Sequence, residues 1–140
     1  MWSFILKKKM GIFGKLFGSE EKEPKQEKQA LPWQVLNSVS QLEEITKASK
    51  TKTQAIFKHS TRCGISRMVI RNFESSFDIT EDQIDLYYLD LLNHRDVSAE
   101  VAAKFQVFHE SPQFIVIRNG VTVHHSSHSM ITPQVLHQFV

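Results

Sequence analysis

The sequence predicts an α/β domain with a central mixed four-stranded sheet flanked by helices, and three observations predict it. Helix-like and strand-like segments alternate from residue 40 onward. Residues 84–92 (IDLYYLDLL) are apolar or aromatic almost without a break, as a strand covered on both faces must be. Asn119-Gly120 stands between two short apolar runs, the strongest short-range signal for a hairpin. With 140 residues, 41% of them apolar and 23% charged, the chain has the composition of an ordinary globular protein and enough length to bury a core without staples.

The chain divides near Ala30. Residues 1–17 (MWSFILKKKMGIFGKLF) mix lysines with large apolar side chains, and GSEEKEPKQEKQ after them is almost wholly polar. Such a stretch cannot bury enough apolar surface to fold. Residues 1–30 therefore read as a flexible basic and apolar tail with a charged linker, and residues 31–140 as the folded domain. Two readings of the tail stay open: peripheral contact with an anionic membrane surface or a partner, or a tail with no role. Met10 opens a second plausible start, MGIFGKLFG.

The elements follow in order. In SQLEEITKAS, Ser40 as N-cap with Glu43 three residues on predicts a capping box, with Leu42 and Ile45 on one helix face. TQAIFKHS predicts a strand around Ala55, Ile56 and Phe57. The next helix carries Ile65, Met68, Val69 and Phe73 at three- and four-residue spacing, with Arg67, Arg71 and Glu74 on other faces. The run 84–92 supplies the next strand. DVSAEVAAKFQVF predicts a helix with a Val97, Val101, Phe105, Phe108 stripe, capped by Asp96 or Ser98. SPQFIVIRNGVTVHHS predicts the hairpin. In TPQVLHQFV, Thr132 is the N-cap and Pro133 the first helical residue of a last helix. The order is α, β, α, β, α, β, β, α. Its first βαβ unit is expected to be parallel and right-handed, with the hairpin as an antiparallel edge.

The single cysteine, Cys63, lies in HSTRCGIS, between the first core strand and its helix. One cysteine forbids an internal disulfide. It points to a reducing compartment or to a thiol kept free for chemistry. At the start of a helix the orphan N–H groups and the dipole favour an anion, and thiols in that setting are the reactive ones. Arg62 adds positive charge beside it. Ser66 lies one turn on, so its hydroxyl can face the sulfur. A resolving thiol would stand at that position. A serine there leaves exchange to pass through a mixed disulfide with a second molecule. The competing reading is a buried cysteine that merely packs.

This order of elements, with a cysteine ending the first core strand and Pro112 opening the hairpin, resembles the thioredoxin fold. The resemblance implies a cis Ser111–Pro112 bond beside the thiol, with the Ser111 backbone free to pair with an extended thiol ligand. TRCGIS, residues 61–66, together with HESPQF further on, resembles the active-site segments of the bacilliredoxin-like family of monothiol redox proteins associated with bacillithiol, over about residues 31–140. The stretch through Lys9 lies outside that likeness.

The family resemblance implies a reaction. Cys63 attacks the bacillithiol sulfur of an S-bacillithiolated protein, frees the protein thiol, and carries bacillithiol until bacillithiol itself or a reductase releases it. Thr61, Arg62, Gly64 and Ser66 would tune the thiolate, and Ser111 and Pro112 would bind substrate. Bacillithiol enters as co-substrate, no metal is needed, and the client proteins are the partners. An alternative from another class is a thioredoxin-like binding module that holds clients without turnover.

Other constellations carry less. A net charge of +2 is too small to argue for nucleic acid. His124 and His125 of HHSSH would point to opposite strand faces, which disfavours a shared metal ion. His59 either tunes the thiolate, since histidine titrates near neutral pH, or closes a strand. Asp90 and Asp96 make no evident carboxylate pair. Gly11, Gly14 and Gly18 follow no strand and make no phosphate loop. No apolar run is long enough to span a bilayer and no secretory signal is evident. Together with the lone cysteine, these features predict a cytoplasmic protein.

Overall fold

A computed structural model describes residues 31–140; the expectations placed on residues 1–30 lie outside the described residues. The elements are β1 (Trp33–Val35), α1 (Gln41–Ala48), β2 (Thr53–His59), α2 (Gly64–Ser76), β3 (Ile84–Asp90), α3 (Arg95–Phe105), β4 (Gln113–Arg118) and β5 (Val121–Ser127), followed by 3₁₀ helices His128–Met130 and Pro133–Gln138. The sheet has five strands in the order β1-β3-β2-β4-β5. β1 and β2 pair with β3 in parallel, while β2–β4 and β4–β5 are antiparallel. The architecture is the thioredoxin-like one expected, with one strand more. The added strand, β1, has three residues, too short to carry a period of its own. It is a strand because Trp33, Gln34 and Val35 pair with Leu86, Tyr87 and Tyr88.

Alternation along β2 divides the core into two layers. Phe57 faces α2, where its ring lies 5.6 Å from Phe73, 6.0 Å from Phe114 and 5.9 Å from Trp33. Trp33 also donates from Nε1 to Glu74 Oε2 at 2.8 Å, which gives the indole N–H the partner that burial demands. Ile56 faces the other way, into a cluster with Leu42 and Ile45 of α1 and Val97, Val101 and Phe105 of α3. All seven residues of β2 are buried, as a strand covered on both faces requires.

Several local expectations are corrected by tertiary contacts. Ser40 makes no side-chain cap. Gln41, the first helical residue, instead pins the turn that leads into the helix: its Oε1 accepts from the amides of Asn37 and Ser38 at 2.8 and 2.9 Å, and its Nε2 donates to Val35 O at 2.9 Å. The N-cap of α3 is His94, not Asp96 or Ser98; Asp96 lies in the first turn, where a carboxylate still complements the dipole. The α3 stripe ends at Phe105, because Gln106 is left-handed at φ 58°; Phe108, beyond it, is 94% exposed. The third strand stops at Asp90. The final helix is 3₁₀, with the Thr132 side chain accepting from Gln134 N and Pro133 at its start. At the hairpin, Asn119 and Gly120 both have positive φ, 56° and 79°, and Arg118 faces Val121, the two-residue turn that Asn-Gly favours.

Candidate active site

The site is assembled where three chain segments meet at one end of the sheet. β2 ends at His59, and a tight turn closed by Cys63 N–H to Ser60 O at 3.2 Å leads into α2. Cys63 is the N-cap, extended at φ −103° and ψ 122°, and its carbonyl accepts the first helical bond from Arg67 N at 3.1 Å. The thiol is half-buried and free. The unpaired N–H groups of the first turn favour a negative charge at that point.

The second segment is Ser111–Pro112, whose peptide bond is cis, as the fold resemblance implied. Lys58 faces Gln113 in the β2–β4 register, which sets Pro112 beside the end of β2. Pro112 is buried, and its carbonyl accepts from His128 N at 3.1 Å. Ser111 is half-buried, and among the described residues no backbone hydrogen bond engages it. The third segment is the 3₁₀ turn His128–Met130, which packs against α2.

Ser66 differs from expectation in an instructive way. It is fully buried, and its Oγ accepts from Ser60 N at 3.1 Å and lies 3.0 Å from His59 Nδ1. The hydroxyl therefore bonds at once to the Ser60 amide and to the His59 ring nitrogen. The hydroxyl thus points inward; among the described residues no hydrogen bond joins it to the Cys63 sulfur. It braces the turn that presents the thiol against β2.

Arg67 closes the same turn from outside, donating from Nη1 to Thr61 O at 3.2 Å. Thr61, Arg62 and Gly64 are exposed. A Cβ built on Gly64 would meet only the Arg67 guanidinium, at 3.8 Å, so no contact requires glycine there. The helical stripe is narrower than its spacing suggested. Val69 and Phe73 are buried with Ser66, whereas Ile65 and Met68 are 55% and 53% exposed. Because Ser66 occupies the inward position of the first turn, these two apolar side chains are left on the exposed side of α2. His124 and His125 take opposite faces as expected: His124 is half-buried, its ring 6.0 Å from Phe139, and His125 is exposed.

His59 belongs to this site although its spacing alone did not decide its role. Burial holds its imidazole below the ordinary value of 6.5, against the raising effect of the Asp90 carboxylate and with a smaller lowering effect of Arg67. Below 6.5 the unfolded chain therefore binds more protons than the folded one, and stability falls as the pH drops through that value. His109 and His124 are shifted the same way. Thermal unfolding between pH 7.5 and 5 is expected to show a falling midpoint. His59→Gln, which keeps an acceptor for Ser66, is expected to flatten part of that slope; an unchanged slope would assign it to the other two histidines.

The sequence profile of the monothiol bacilliredoxin BrxC family matches residues 34–136. The chain belongs to the monothiol bacilliredoxin family. A solved protein described as an oxidoreductase candidate with a thioredoxin fold is 34% identical, with 74% of this chain and 89% of that chain covered at a TM-score of 0.63. Thioredoxins of Malassezia sympodialis and Trypanosoma brucei brucei are 23% and 21% identical at TM-scores of 0.59 and 0.56, each covering 76% of this chain and 85% of theirs; they share the fold. Family and fold together make this a thiol–disulfide redox protein.

Proposed function

We propose that the protein removes bacillithiol from S-bacillithiolated proteins. One observation carries the reading beyond family membership. The sole thiol caps a helix, and the position one turn on holds a buried serine already committed to Ser60 and His59. Such a site can form a mixed disulfide and cannot resolve it internally.

The Cys63 thiolate attacks the bacillithiol sulfur in line with the S–S bond. The Cys63–bacillithiol bond forms, the old disulfide breaks, and the client leaves as a thiolate that takes a proton from water. A second thiol, from bacillithiol or a reductase, then attacks the bacillithiol sulfur and restores Cys63. Ser111 would pair with the extended substrate through its free backbone groups. Ile65 and Met68 would seat the client, and Thr61, Arg62 and Gly64 shape the exposed turn. A reducing compartment such as the cytoplasm suits this chemistry.

The test is a client protein capped with bacillithiol, followed for release of its thiol, with glutathione-capped client in parallel. Release from the bacillithiol-capped client at the higher kcat/KM, with one bacillithiol mass on Cys63, is expected. Equal rates would remove the bacillithiol assignment. No release from either would leave a client-binding module.

A further inference from the structure

Lys58 is fully buried on β2, and among the described residues no carboxylate forms an ion pair with it. Its Nζ donates to Ser98 O in α3 at 3.2 Å and to Nδ1 of His109 at 3.3 Å. Its cross-strand neighbour is Gln113, only 1% exposed. Gln113 Nε2 donates to Phe108 O at 2.9 Å, and its Oε1 accepts from Glu110 N at 3.4 Å. Residues paired across antiparallel strands share a face, so two adjacent polar side chains grip three consecutive residues, Phe108, His109 and Glu110.

Those three residues lead directly into Ser111–Pro112. Their own side chains are all exposed, so apolar packing does not anchor them. The next positions along this face on the two strands are aliphatic, Ile56 on β2 and Ile115 and Ile117 on β4. An aliphatic residue at position 58 would fill the volume but could not direct a loop.

We propose that Lys58, together with Gln113, is a positioning residue for thiol–disulfide exchange. The pair sets segment 108–110 so that the Ser111 backbone stands ready for the extended partner of Cys63. The role rests on the exchange reading above and deepens it. Lys58 acts through His109 and the segment, not on the sulfur.

The experiment compares wild type, Lys58→Met, Lys58→Gln and His109→Ala in two reactions. One is exchange with a peptide capped by a small thiol through a disulfide, long enough to lie along Ser111. The other is alkylation of Cys63 by iodoacetamide, which needs no such platform. In Lys58→Met, KM for the peptide is expected to rise roughly tenfold, the worth of about one misaligned backbone hydrogen bond, while alkylation stays unchanged. Lys58→Gln, which keeps a donor, is expected to recover part of the loss. His109→Ala, at an exposed residue, is expected to show the same split even if Lys58→Met does not fold. Equal KM values, or a parallel loss of alkylation, would overturn the positioning role. A wild-type protein that exchanged no disulfide would overturn the redox reading itself, a distinct result.

Discussion

Cys63→Ala is expected to reduce release of a capped client thiol to the uncatalysed background while leaving the fold intact. The side chain is half-buried and free, and its N-cap role is carried by backbone, since no side-chain cap bond is made. Alanine therefore removes the nucleophile and little else. A thermal midpoint within a few degrees of wild type, with no release, is the expected pair of results. Residual release above background would place the chemistry elsewhere.

The companion variant is Ser66→Cys. Positions one turn apart on a helix bring their Cβ atoms within about 5–6 Å, close enough for a disulfide with modest adjustment. The variant is expected to expel the small thiol by forming a disulfide between Cys63 and the introduced sulfur, seen as loss of the adduct mass together with two hydrogens. Losing the braces to Ser60 and His59 is expected to cost about 1–3 kcal/mol. Persistence of the adduct would mean that the inward position cannot reach Cys63.

Lys58→Met is expected to stabilise the protein while weakening its exchange. Burial brings the Lys58 ammonium down from 10.5 to about 8, a shift equivalent to about 3 kcal/mol spent on holding the charge inside. Two hydrogen bonds worth about 1 kcal/mol each offset part of it, so the net gain at pH 7 is expected to be about 1–2 kcal/mol. The pH dependence isolates the cause. From pH 8 upward the folded protein has released this proton and the unfolded chain, below 10.5, has not. Wild-type stability therefore rises with pH over that window, and the variant's does not. Tyr87 and Tyr88, whose phenols burial pushes up from 10.0, act in the opposite sense only toward the top of that range. Urea unfolding at pH 7, 8 and 9.5 measures the difference; a less stable variant at pH 7 would show the ammonium to be a net support.

What the sequence determined by itself was carried by local signals. A cysteine between a strand and an amphipathic helix, a serine one turn on, Asn-Gly between apolar runs, and Thr-Pro at a helix start each depend on a few neighbouring residues. They yielded the α/β order, the N-cap thiol and the monothiol character. The cis Ser111–Pro112 bond was reached through resemblance, since one proline in isolation does not reveal its isomer.

Tertiary structure decided what depends on distant partners. β1 is a strand because β3 lies beside it. Ser40 makes no side-chain cap, and Gln41 fastens the turn before α1 because Val35 and the 37–38 turn come within its reach. Ser66 turned inward because His59 and the Ser60 amide at the end of β2 offer it hydrogen-bond partners, and Ile65 and Met68 were left outside. Lys58 read as one polar residue in a strand. Only the folded chain brings Ser98 and His109 to its ammonium, from residues 40 and 51 positions away. A charge is buried where such partners converge, and no local pattern encodes where they will.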